Sequence, residues 1–383
     1  MTELRHGAAM LTEPAPLTLH GPDGPVHLAG GRIVADDPGG RRIDVVDLRV
    51  MPGIVDVHGD GFERHLAPRR GAATDPAEGL GHTEAELLAN GITTAVLSQY
   101  WSWEGGMRGP EFARRIATAL DAYPATVDLR LQLRIEIGMV DDYPEIEALV
   151  ARHRIGFVTL NDHLPHHVLA SDKPLRRLEG QALKAGRSPE AHLGLLNALH
   201  SGMDAAMAAL PGLVARLVTA GAIVGSHDDP TPEARAAFRD MGASVAEFPL
   251  SAETATAARA AGDPVVVGAP NLVRGASHKR GGFSVAEALA LDAVDALASD
   301  YHYPSCLAAM RRLSAAGWPA DRAWALVSEG PARVLGLSDR GRIAPGLRAD
   351  LVLVDPDFTR VHGTIVGGRV AHADAVLSAR LLA

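Results

Sequence analysis

Met51-Pro-Gly-Ile-Val-Asp-Val-His-Gly-Asp60 is an apolar run that ends in a histidine and an aspartate separated by one glycine. On a β-strand alternate side chains share a face, so His58 and Asp60 project together at the strand's carboxyl end. Imidazole and carboxylate side by side are donors that a divalent ion accepts. Gly59 and Gly61 add no side chain beside them, which leaves an ion or substrate room to approach the backbone. The same pair occurs on ordinary surface strands, so its meaning depends on what the rest of the chain brings near it.

Outward from this stretch, apolar runs and helical patterns alternate. Strand-like runs fall at 54–58, 93–98, 129–137, 156–161, 222–226, 244–248, 265–268 and 296–299, and helical patterns at 83–90, 111–122, 145–153, 190–220, 231–241 and 252–261 lie between most of them. Eight strands with helical crossovers predict an α/β fold, a closed (β/α)8 TIM-like barrel over residues 51–340, with its active site at the carboxyl ends of the strands. Short strands and glycine turns at 17–50 recur after 341, so residues 1–50 and 341–383 are expected to form one small β-sandwich domain from both termini. One connection, 163–194, is long and carries His166, His167, Lys173 and Lys184. It reads as a lid or as an oligomer contact.

Composition narrows the classes of function. With 383 residues, 47% of them hydrophobic, the chain can bury a large core. No apolar run reaches the roughly 18 to 20 residues of a membrane span, and the acidic amino terminus has no apolar secretory core. Cys306 is the one cysteine, so no intramolecular disulfide forms and a reducing, cytoplasmic setting is expected. Any bound metal must rely on His, Asp and Glu. A formal charge of -9 disfavours nucleic acid as a partner.

Polar residues recur where the predicted strands end. Strand one ends in His58 and Asp60, strand three carries Glu136, strand four ends in Asp162-His163, strand five in Ser226-His227-Asp228-Asp229, and strand eight in Ser299-Asp300-Tyr301. Singly, each has a plain reading: Glu136 as a solvated strand end, His163 as a capping imidazole, Asp300 as a helix N-cap. Together on one rim they point to a metal site. Asp228 and Asp229 have two readings, as carboxylates that orient a ligating imidazole or as caps of the helix starting near Pro232.

The opening Pro52-Gly-Ile-Val-Asp-Val-His, the His227 and Asp300 strand ends and the closing Gly341-Arg-Ile-Ala-Pro-Gly-Leu-Arg-Ala-Asp-Leu-Val-Leu-Val resemble the amidohydrolase superfamily of metal-dependent barrel hydrolases. Ser226-His-Asp-Asp, Ala246-Glu-Phe-Pro, Gly268-Ala-Pro-Asn-Leu-Val-Arg-Gly-Ala-Ser-His278 and Ala298-Ser-Asp-Tyr narrow the resemblance to its diphosphatases of phosphonate utilisation, which act on a ribosyl phosphonate triphosphate. That branch has His-Thr-Asp-Asn at the first motif with a lysine soon after, whereas here it is His58-Gly-Asp60-Gly, with Arg64 near the lysine's place. Many superfamily members bridge two ions with a carboxylated lysine. No lysine stands at a strand end here, which leaves Glu136 for that role.

The expected centre is therefore a pair of divalent ions, zinc first and manganese or iron next. His58, Asp60 and Asp300 would hold one, His163 and His227 the other, with Glu136 spanning both and Asp300 taking the water's proton. The expected substrate is a small phosphorylated molecule cleaved to release pyrophosphate. Its phosphates would meet Arg64, Arg69 and Arg70 after strand one and Asn271, Arg274, Ser277, His278, Lys279 and Arg280 after strand seven, unless those charges are just a solvated loop. A homodimer is expected. Hydrolysis of an amide or cyclic C–N bond is the competing chemistry, which the basic cluster disfavours. A metal-stabilised scaffold subunit is the alternative outside enzymes.

Overall fold

Every residue of the strand Ile54–Gly59 is buried, as in a parallel strand covered on both faces. The computed structural model describes residues 13–69, 74–171, 174–275 and 284–383. In chain order its strands are β1 (Leu17–Gly21), β2 (Gly24–Ala29), β3 (Arg32–Val34), β4 (Arg41–Asp44), β5 (Arg49–Pro52), β6 (Ile54–Gly59), β7 (Ile92–Trp101), β8 (Asp128–Glu136), β9 (Phe157–Asn161), β10 (Ile223–His227), β11 (Val245–Glu247), β12 (Val265–Gly268), β13 (Ala296–Ala298), β14 (Leu351–Val354), β15 (Val361–Val366) and β16 (Arg369–Ala373).

Strands β6 to β13 pair in sequence order, each parallel to the next. The first and last edges meet through a bridge between Gly59 and Asp300. There the Asp300 amide donates to the His58 carbonyl and the Asp60 amide to the Asp300 carbonyl, each at 2.9 Å. The result is the expected (β/α)8 barrel, and its seam lies at His58-Gly-Asp60. Gly59 serves that seam. A Cβ there would stand 2.7 Å from Asp56 Oδ2 and 3.0 Å from Ser299 Oγ, so the glycine makes room for these side chains at the seam.

The helices follow the predicted pattern with one break. The run 190–220 is two helices, Pro189–Ser201 and Met203–Thr219, parted at Gly202, the poorest helix former available short of proline. Side-chain N-caps begin the helices at Asp75, Ser188, Thr231, Ser251 and Ser284. Thr231 thus takes the place offered to Asp228 and Asp229. The connection after β9 carries the short helices His166–Leu169 and Leu178–Lys184. It is pinned to the barrel by Arg187, which donates to the Trp103 carbonyl at 2.7 Å, and by Leu164 and Leu196 packed on Trp103.

The terminal segments contribute two four-stranded sheets, ordered β3-β2-β1-β4 and β16-β15-β14-β5. They share one core of Leu19, Leu28, Ile33, Ile43, Leu351 and Ile365 among others, and main-chain bonds such as Ile33 N–H to Leu347 O at 2.9 Å stitch them together. Arg340, at the boundary, donates to Asp128 Oδ2 at 2.6 Å and Thr94 Oγ1 at 2.8 Å in the barrel and lies 4.0 Å from Asp350 Oδ2 of this unit. Among the described residues no helix is long and apolar enough to cross a membrane.

Candidate active site

Parallel pairing in register brings distant residues side by side at the barrel's carboxyl end. His227, the last residue of β10, pairs with Glu247, the last of β11; Glu136 pairs with Asn161. Because side chains alternate along a strand, Gln132, Arg134 and Glu136 of β8 all point into the barrel, in successive layers.

Glu247 stands at the centre of the lower layers. It is fully buried, and its Oε1 and Oε2 accept from His58 Nδ1 and His227 Nδ1, each at 2.8 Å, while Gln132 Nε2 donates to Oε1 at 2.9 Å. An ionised carboxylate only accepts, so both imidazoles carry their proton on Nδ1 and present a bare Nε2. Burial works against the charge on Glu247, yet His58 and His227 hold its carboxyl well below the ordinary value. Facing the two Nε2 atoms is Arg134. Its Nη2 donates to His227 Nε2 at 3.0 Å, its Nη1 lies 3.5 Å from His58 Nε2 and 3.7 Å from Asp60 Oδ2, and its Nε has no partner. The two imidazoles respond differently. Burial and then Arg134 push His227 down to about 4; burial also works against His58, but Glu247 outweighs it and raises that imidazole.

The upper layer holds Glu136, His163, Asp60, Asp228 and Asp300. Glu136 Oε1 accepts from His163 Nδ1 at 2.5 Å, and Oε2 from the His163 amide and Trp103 Nε1, each at 3.1 Å. Burial pushes the Glu136 carboxyl up, and His163 more than reverses it. Asp300 sits in the left-handed region at φ 56 on the barrel seam. Burial, then the neighbouring Asp60, lifts its carboxyl to about 6.

Among the described residues three groups bring their ligand atoms within 4.8 Å of one another: His58, Asp60 and Asp300; His163, His227 and Asp228; and His58, His227 and Glu247. Imidazole nitrogen and carboxylate oxygen in the first two groups suit a divalent ion. The five predicted ligands His58, Asp60, His163, His227 and Asp300 therefore come together. Glu136 stays with His163 and enters none of the three groups, so the carboxylate that spans two imidazoles is Glu247. Asp229 also departs from expectation. Its Oδ2 accepts from Ser226 Oγ at 2.5 Å and lies 3.6 Å from the buried Arg235, so Glu247 orients His227 and Asp229 does not. Asp228, at φ 60, turns the opposite way and puts its Oδ2 3.9 Å from His227 Nε2.

The predicted phosphate contacts divide. A Cβ on Gly268 would lie 3.6 Å from Asp300 Oδ2 and 3.7 Å from Asn271 Nδ2, so both side chains border the space at Gly268. Arg274 donates to Asn271 Oδ1 at 3.2 Å and reaches Tyr301 Oη at 3.5 Å. Arg64 donates to the Tyr301 carbonyl at 2.9 Å and pairs with Glu86. Arg69 is exposed on the loop after β6. Arg70, Ser277, His278, Lys279 and Arg280 lie outside the described residues.

Four contributors lacked an assigned role in the sequence. Glu247 ends its strand within the quoted Ala246-Glu-Phe-Pro, and strand-end position was the signal that could have found it. Arg134 stands two residues before Glu136, on the same inward face. Trp103 holds Glu136, and Tyr100 stacks between Arg134 and Arg108, whose guanidinium carbons lie 4.0 and 4.4 Å from its ring centre. Tyr100 and Trp103, at the end of β7 and just beyond it, thus line the site.

Comparison with known proteins agrees with this geometry. Residues 219–371 match the model of the amidohydrolase family. The chain is 30% identical over 327 residues to the alpha-D-ribose 1-methylphosphonate 5-triphosphate diphosphatase of Escherichia coli (strain K12), covering 82% of this chain and 85% of that protein. Among solved structures, N-acetyl-D-glucosamine-6-phosphate deacetylase from Mycobacterium smegmatis superposes with a TM-score of 0.58 at 17% identity, over 93% of this chain and 100% of its own. The 5-methylcytosine deaminase from Klebsiella pneumoniae, with 5-fluorocytosine bound, gives 0.60 at 17%, over 94% and 97%; both likenesses concern the fold. With the strand-end histidines and aspartates gathered at one rim of an eight-stranded barrel, the chain belongs to the amidohydrolase superfamily of metal-dependent hydrolases.

Proposed function

We propose that this hydrolase cleaves the triphosphate of α-D-ribose 1-methylphosphonate 5-triphosphate, releasing pyrophosphate and leaving the 5-phosphate on the ribosyl phosphonate. The observation that carries the reading is that Asn271, bonded to Arg274, and Asp300 border the same space at Gly268. An amide donor and a cation bonded to it then stand on the same rim as a carboxylate able to take a proton. The named activity of the Escherichia coli relative supports the substrate.

His58, Asp60 and Asp300 would hold a divalent ion, with zinc the first candidate and manganese or iron the next. Such an ion, when bound, acts as a Lewis acid and lowers the pKa of water to about 7. Glu247 keeps His58 in the tautomer that offers Nε2. Asp300, at the same ion position, accepts the proton of the attacking water. The water oxygen bonds to the phosphorus next to the sugar as the bond to the pyrophosphate oxygen breaks. Asn271 and Arg274 hold phosphate oxygens through this exchange.

The test is phosphorus NMR of the purified protein with that triphosphate and added zinc or manganese. Pyrophosphate should appear in step with the 5-phosphate, and a sample stripped with EDTA should be inert. Release of orthophosphate alone, turnover in the stripped sample, or no turnover of the triphosphate beside turnover of an N-acyl substrate would overturn the proposal.

A further inference from the structure

The expected pair of cation positions meets an obstacle, because a side chain of the protein already stands between the imidazoles. We propose that the guanidinium of Arg134 holds one of the two cation positions, so that the chain binds a single divalent ion, on His58, Asp60 and Asp300. The inference rests on the metal-dependent reading above and goes beyond it.

Three observations carry it. Glu247 occupies the Nδ1 side of His227 at 2.8 Å, which leaves Nε2 as that imidazole's only free lone pair, and Arg134 Nη2 donates to it at 3.0 Å. An ion shared by His163, His227 and Asp228 would need the same lone pair. Second, the guanidinium is locked in place. Arg134 is 3% exposed and lies 4.0 Å over Tyr100, whose other face carries Arg108 at 4.4 Å. Arginine keeps its charge under all ordinary conditions, so the position stays cationic. Third, among the described residues no carboxylate bridges the two donor groups on the side that Arg134 occupies. Glu136 has both oxygens engaged by His163 and Trp103, while Glu247 meets both histidines from the side away from Arg134.

Arg134 is thus a fixed counterpart to the ion. Its guanidinium presents planar donors where a second ion would offer a spherical charge, a geometry suited to one oxygen of a phosphoryl group.

The experiment measures metal content of the full-length protein by equilibrium dialysis against zinc and by electron paramagnetic resonance with manganese. The wild type should saturate at one ion per chain, with an uncoupled manganese spectrum. Arg134→Met removes the charge and should admit a second ion, giving two per chain and a spin-coupled spectrum. Arg134→Lys keeps a cation and should remain at one. Two ions in the wild type overturn the inference while leaving the metal-dependent reading intact, and they do so even if the variants fail to fold. A folded Arg134→Met that still binds one ion overturns it as well. No ion in the wild type overturns the metal-dependent reading itself, and the inference with it.

Discussion

Replacing Glu247 by glutamine removes one charge and almost no volume from the centre of the barrel. The carboxylate accepts from His58, His227 and Gln132. Glutamine keeps one acceptor oxygen and turns the other into a donor amide. If its oxygen stays with His58 and Gln132, the amide faces His227 Nδ1–H, donor against donor. Turning His227 to its other tautomer only moves the conflict, because Nε2–H would then point at the Arg134 guanidinium 3.0 Å away. One buried charge-assisted hydrogen bond is lost in every arrangement, a cost of about 2–3 kcal/mol in folding stability. The ion also loses the negative charge behind its imidazole ligand, and its affinity should fall roughly 10- to 100-fold, the usual consequence of disturbing a partner of a metal-ligating histidine. Competition with a chromophoric chelator measures the affinity, and thermal unfolding of the same sample reports the fold. Affinity within about twofold of wild type in a Glu247→Gln protein that melts normally would refute the reasoning, since the histidines would not then depend on Glu247 for their orientation.

Two further outcomes follow from the same structure. Arg274→Ala should raise KM for the triphosphate about tenfold or more with kcat little changed, as expected for loss of a charge-assisted contact made equally in ground and transition states; steady-state kinetics with an unchanged KM would remove Arg274 from substrate binding. Asp128→Asn tests the tie between barrel and terminal sheets. Burial pushes the Asp128 carboxyl up, but Arg130 and Arg340 outweigh it and hold it below its ordinary value. Its contribution is therefore fully present above the unfolded value near 3.8 and is lost as pH falls through the lower folded one. Urea unfolding should show the variant about 1–3 kcal/mol less stable near neutral pH, with the gap closing below about pH 4; a gap independent of pH would mean that the carboxylate's charge is irrelevant there.

What could be read from the sequence rests on short-range order. Apolar runs buried on both faces alternate with amphipathic segments, and this pattern alone is enough for eight parallel strands and for the placement of His58, Asp60, His227 and Asp300 at their ends. Local chemistry was less decisive where two residues compete for one task. Asp228 and Asp229 are adjacent, yet a left-handed backbone at Asp228 turns it to the site, and Arg235, reaching in from the next helix, draws Asp229 away. Gly202 likewise parts two helices that a hydrophobic pattern joins.

The roles of Glu247, Arg134 and Glu136 were decided only by the closed barrel. Each is an inward residue on its own strand, and periodicity says nothing about the layer in which it meets its neighbours. That depends on the register of eight paired strands and on the seam at Gly59 and Asp300, which sets His58 against Glu247 across a sequence separation of 189 residues. The pair His58 and Asp60 is written in one short stretch. The charge that faces it comes from strands elsewhere in the chain, and closure of the sheet is what brings them together.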